Sequence, residues 1–202
     1  MTTADAQAAG PPARPPLSAG RGGHDVGWWG MMVLLATEAA LFSYLLGSYF
    51  YLAVQHPTWP TIGAPPLALV APNTALLVAS SGAAWWADRS ADRGNRVGLI
   101  AGLALTIVMG AVFLGVQGLE WSRADFRPQT DAYGSMFYTI TGFHGAHVLA
   151  GLLALGHTLL RAITGAFPPG RTLAVNNTVL YWHFVDVVWL VVFTSLYLAP
   201  RF

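Results

Sequence analysis

The sequence predicts an all-α protein, an integral membrane bundle of five transmembrane helices. Three observations carry that expectation. Hydrophobic residues make up 54% of the 202 positions and charged residues only 9%, against about 25% charged in an ordinary soluble domain. Five apolar stretches each reach the length of about 20 helical residues that a hydrocarbon core of about 30 Å requires. The breaks between them are dense in proline, glycine and charge, the usual marks of turns.

The elements follow in order. Residues 1–23 are rich in Ala, Pro, Gly and Thr and hold almost no large apolar side chain, so they lack the means to offset ordering entropy and are expected to form a disordered tail. With no apolar core between a basic start and a cleavage site, this stretch does not read as a secretory signal. Residues 24–202 form the transmembrane domain, with helices expected at about 29–54, 69–87, 97–117, 135–160 and 177–199. The segment 56–66 carries four prolines, 88–96 reads as a charged turn, 120–131 combines five charges with Pro128, and 161–176 holds Pro168 and Pro169. Gly98 and Gly102 form a GxxxG, and 79–84 is a run of small residues; both suit the close helix approach that drives packing in lipid. Trp28, Trp29, Trp59, Trp85, Trp86, Trp121 and Trp182 fall near the expected span ends and suit an interfacial belt.

Composition excludes several function classes. A net charge of +1 gives no basic stripe for nucleic acid. The absence of cysteine removes disulfides, iron-sulfur clusters and a thiolate-bound copper centre, so redox chemistry would have to rest on histidine. All ten basic residues are arginine. Seven lie in the tail and the second and fourth loops, and three in the first and third loops and the C-terminus, which favours a cytoplasmic N-terminus and a C-terminus on the outer side.

Ionisable residues inside a membrane are costly and therefore candidates for function. Glu38 lies in the first helix, His144 and His147 in the fourth, and His183 and Asp186 in the fifth. At a rise of about 1.5 Å per residue, Glu38 and Asp186 stand about 15 and 14 Å from the cytoplasmic face, and His144 is also near mid-membrane. His147 and His183 are roughly 10 Å from that face by the same count. His144 and His147 are three apart, as are His183 and Asp186, so each pair shares a helix face. The pattern predicts one buried hydrogen-bonded cluster joining helices one, four and five.

Other chemistries remain open on residue types alone. His147 and His183 have the matched depth of a bis-histidine haem site. His144, His147, His183 and Asp186 are acceptable metal ligands. Glu38 is chemically able to relay protons, although one mid-membrane carboxylate makes no continuous wire. A free-standing transporter or proton channel would use the same residues. Arg161 follows the fourth helix at the expected cytoplasmic interface, where an arginine snorkels and pairs with a lipid phosphate.

The run Tyr181-Trp182-His183-Phe184-Val185-Asp186-Val187-Val188-Trp189 resembles the YWHFVDVVW signature of cytochrome c oxidase subunit III, the haem-copper oxidase family. Gly134-Ser135 and Thr141-Gly142-Phe143-His144-Gly145-Ala146-His147-Val148 are similar to that family's YGS...TGFHGLHV, with Ala146 in place of the usual Leu. Gln117 to Glu120 resembles its Q-x-x-E, and Thr37-Glu38 its Ser/Thr-Glu pair; Trp59-Pro60 and Asn73-Thr74 fall in family order. Longer members have seven helices, and the five-helix form resembles many bacterial subunits.

The resemblance implies an accessory subunit of a terminal oxidase in a bacterial inner membrane, packed against catalytic subunit I. By that resemblance it binds phospholipid and supports turnover and proton uptake. This chain would hold no catalytic residue, metal or other cofactor of its own, with haem and copper in partner subunits. Glu38 is then the buried carboxylate, Arg161 the lipid headgroup contact, and His144, His147, His183 and Asp186 a structural polar cluster. Within the family, an accessory subunit of a quinol oxidase or nitric oxide reductase is the alternative.

Overall fold

The computed structural model describes residues 26–61, 65–165, 167 and 172–201. The expected tail at 1–23, and Pro168 and Pro169 of the fourth loop, lie outside the described residues. Five helices form the bundle: α1 (Val26–Gln55), α2 (Leu67–Asp92), α3 (Arg96–Arg123), α4 (Ala132–Ile163) and α5 (Leu173–Phe193). A π-helical turn, Thr194–Leu198, and a 3₁₀ turn, Ala199–Arg201, continue α5. All five helices are long and apolar enough to cross a membrane.

The first four helices run beyond the limits expected from hydropathy at both ends, and α5 does so only with its π and 3₁₀ continuation, because hydropathy marks the hydrocarbon and not the hydrogen-bonded ends that project into the interface. Asp88–Asp92, expected as a turn, is the last stretch of α2, and Glu120–Arg123 is the last turn of α3. Local chemistry sets the actual ends. Gly94 (φ 69°) and Gly165 (φ 73°) take the left-handed conformation after α2 and α4, where a side chain would be strained. Asn95 and Asp131 cap α3 and α4, accepting the Gly98 and Gly134 amides at 3.0 and 2.7 Å.

Contacts at the two ends establish an up-and-down order. At one end Asn177 Nδ2 donates to the Gly27 carbonyl, Asn176 Nδ2 to Asp88 Oδ1 at 2.9 Å, and Arg96 to the Ala162 and Ile163 carbonyls that finish α4. At the other, Thr61 bonds Asp131, and Arg201 bonds the Pro65 carbonyl. The start of α1 and the end of α5 therefore stand on opposite sides.

The core centres on α5. Trp182 is fully buried, its Nε1 donating to Ser80 Oγ of α2 at 2.9 Å. Its ring fills the space left by two glycines: a Cβ on Gly110 of α3 would lie 2.5 Å from Trp182 Cη2, and one on Gly151 of α4 would lie 2.9 Å from Cε3. Trp182 is thus a packing residue at the meeting point of four helices, which corrects the expectation that it sits in an interfacial belt. One heptad on, Trp189 is also fully buried and donates to Thr74 Oγ1 of α2 at 2.9 Å. The expected GxxxG seam faces α2, with Gly102 against Ala87 and Gly98 against Ser90. By contrast α1 buries only Phe42 and Tyr49 and shows most of its apolar surface outward.

Gly110→Ala should lower the stability of the detergent-solubilised chain by about 1–3 kcal/mol, the usual cost of overpacking. Gly115→Ala, where nothing lies within 4 Å, should not. Denaturation midpoints of the two variants compare them, and equal midpoints would contradict the packing described.

Candidate functional site

The polar residues singled out in the sequence are held by α1, α4 and α5, but they do not converge. Glu38 of α1 and His147 of α4 meet directly, Oε2 to Nε2 at 2.8 Å. His147 is held on its other side by a 2.7 Å contact between Nδ1 and the Phe143 carbonyl one turn earlier, and Tyr181 OH donates to the His147 carbonyl. Both partners stay partly exposed, with 23% and 16% of the Glu38 and His147 side chains accessible. They open on a groove of about 480 Å³ between Met31 and Leu34 of α1, Ala146, Ala150 and Ala154 of α4, and Tyr181 of α5. The small alanines leave this groove open.

His183 and Asp186 belong to a separate group. Ser81 of α2 contacts both, with Oγ 2.9 Å from His183 Nδ1 and also bonded to Asp186 Oδ2. The expected link among α1, α4 and α5 is therefore replaced by one link between α1 and α4 and another between α2 and α5. Ser81 escaped the sequence reading because it lies in a small-residue stretch read as a packing seam. The signal available was a hydroxyl in the middle of a span.

His144 joins neither group. Its imidazole is fully buried among Phe42, Phe113 and Trp189, with ring centres 6.4, 5.9 and 4.8 Å away. Neither ring nitrogen has a hydrogen-bond partner among the described residues. Position explains the split: three residues on a helix turn a side chain by about 60°, so His147 faces α1 while His144 faces the interior. Among the described residues, no three histidine or carboxylate side chains converge as a metal-ligand set.

Arg161 ends α4 with its guanidinium 4.8 Å over the Phe167 ring. The final carbonyls of that helix are taken by Arg96 instead, Nε to Ala162 at 3.0 Å and Nη2 to Ile163 at 2.5 Å. Arg161 itself is partly exposed and, among the described residues, donates to neither of these carbonyls.

A third polar group was read only in part, through the resemblance of Gln117 to Glu120 to a Q-x-x-E at the end of a helix. Glu120, placed in a loop by composition, is 9% exposed on α3. Its Oε2 accepts from Gln117 Nε2 at 2.7 Å and from Tyr197 OH at 3.1 Å. The Q-x-x-E spacing was visible; the tyrosine that completes it, on the π turn after α5, has no local signal.

Comparisons with known proteins agree on one family. A sequence model of the family described as Cytochrome c oxidase subunit III matches residues 24–200. Cytochrome c oxidase subunit 3 of Gallus gallus is 38% identical over 178 residues, covering 84% of this chain and 68% of the relative. The protein of the same description from Thermostichus vulcanus is 34% identical over 176 residues, covering 86% and 87%. That from Rhizopus stolonifer is 38% identical over 177 residues, covering 83% and 62%.

The contact between Glu38 and His147 should appear as a coupling of about 0.6 kcal/mol, and at most about 1.7, in a double-mutant cycle of Glu38→Ala and His147→Ala. Unfolding of the solubilised chain measures it. Strictly additive effects would show that the pair contributes nothing to docking α1.

Proposed function

The chain belongs to the cytochrome c oxidase subunit III family, and from that premise we propose that it is the non-redox accessory subunit of an aerobic respiratory haem-copper oxidase. The reading places it in a bacterial inner membrane with its N-terminus cytoplasmic, packed against catalytic subunit I, which with other partner subunits holds the haem and copper. Its contribution is to bind phospholipid and to support sustained turnover and proton uptake by that subunit.

The observation that carries this reading is the separation of the histidines and carboxylates into a pair, a triad around Ser81 and an isolated His144. Such separated groups suit helix docking, since each fixes one helix against another. Glu38 is the part-buried carboxylate that faces a groove. Arg161, stacked on Phe167 and free of the α4 carbonyls, is suited to a lipid phosphate through its planar guanidinium. The arginine distribution supports the orientation.

Affinity purification through a tag on the full chain tests the proposal. A haem-containing catalytic subunit should co-purify, and a complex prepared without this chain should lose oxygen-reducing activity progressively during turnover. Recovery of the chain alone, with proton flux in liposomes that hold nothing else, would favour a free-standing transporter. In the same preparation, Arg161→Ala should lower the phospholipid retained; unchanged lipid content would remove the headgroup assignment.

A further inference from the structure

At the end of the bundle where the first and third loops meet, a pocket of about 400 Å³ opens between the start of α2 and the end of α3. Pro66, Ala68, Leu69 and Phe137 form its apolar wall, and Glu120, Arg123 and Asp125 bring charge to it. Glu120 is the informative member. It is more than nine-tenths buried, yet both of its hydrogen bonds, from Gln117 and Tyr197, go to Oε2. Oε1 receives none from the described residues and is not among the polar atoms sealed from the surface. A carboxylate oxygen thus stands open in a largely apolar recess, where a charged donor is its natural partner.

Arg123 lies one turn further out on the same helix face, with Cβ atoms about 5–6 Å apart at this spacing. It is exposed, and no carboxylate stands within ion-pairing distance of it among the described residues. The neighbouring Arg201 is already committed, Nε to the Tyr197 carbonyl at 3.0 Å and Nη2 to that of Pro65. The pocket therefore presents an acceptor inside and a cationic donor at its mouth. A simple anion would meet Glu120 and Asp125 unfavourably. A simple cation would leave Arg123 repelling it.

We propose that this pocket binds a phosphoethanolamine group, its ammonium donating to Glu120 Oε1 and its phosphate accepting from Arg123. Two carbons separate the charges of such a group, which suits acceptor and donor one helical turn apart. Where the group belongs to a phospholipid, the acyl chains pass over exposed Ala68 and half-buried Leu69 along α2. Arg161 lies at the opposite end of the bundle and takes no part, so the site stands whether or not Arg161 binds lipid.

Native mass spectrometry of the full chain in its oxidase complex, delipidated in detergent, tests the site with dioctanoyl phosphatidylethanolamine as probe. Arg123→Gln, an exposed change, and Glu120→Gln should each weaken binding about tenfold or more, as expected for loss of a charge-assisted hydrogen bond. Dioctanoyl phosphatidylglycerol, which has the phosphate but no ammonium, should bind the wild type more weakly than the ethanolamine lipid, and should lose affinity with Arg123→Gln but not with Glu120→Gln. Competition by free O-phosphoethanolamine at equal concentration would identify a soluble ligand, and its failure to compete a lipid; both support the site. Equal affinity for the ethanolamine lipid in wild type and Arg123→Gln would overturn it. So would no binding at all, the outcome expected if another subunit fills the pocket.

Discussion

The bundle depends on the insertion of one indole between two glycines. In lipid there is no hydrophobic gain from bringing helices together, so close packing and hydrogen bonds must do it. Trp182 of α5 supplies both: its ring fills the notch between Gly110 of α3 and Gly151 of α4, and its Nε1 bonds Ser80 of α2. A seven-residue step brings Trp189 to the same face, where it bonds Thr74 of α2 and packs against Phe113 and His144. Two residues of one helix thereby set the relative positions of three others.

That placement governs the polar residues carried alongside. Because Trp182 and Trp189 turn their face of α5 toward α2 and α3, His183 and Asp186 come to Ser81 of α2 and not to α1. The Trp189 ring occupies the space beside His144 and encloses the imidazole with Phe42 and Phe113. Glu38 and His147 are then left to tie down α1, the helix with least buried surface. A cluster expected from depth and from shared helix faces becomes separate contacts because neither says which neighbouring helix a face meets.

What was legible in the sequence followed from composition and local spacing. Five spans, the GxxxG seam of Gly98 and Gly102, and the placement of Glu38 on α1 needed only hydropathy and periodicity, whereas Arg161, expected just past the fourth helix, lies in the last turn of α4. Trp182 was misread because an indole five residues inside the expected span end looks like an interface residue unless the facing glycines are known. Glu120 was placed in a loop because its charge masked a helix that extends past the hydrocarbon. Its Tyr197 partner lies 77 positions away, a pairing no local pattern encodes. Ser81 and Thr74 were hidden for the same reason: a hydroxyl gains meaning only from the helix opposite.

We propose that the histidines and carboxylates of this chain dock helices, with redox chemistry left to partner subunits. The absorption spectrum and metal content of the full chain, purified apart from its partners, test that most directly. No haem Soret band and no stoichiometric metal are expected. A Soret band or bound metal that disappears in His144→Ala or His183→Ala would contradict it.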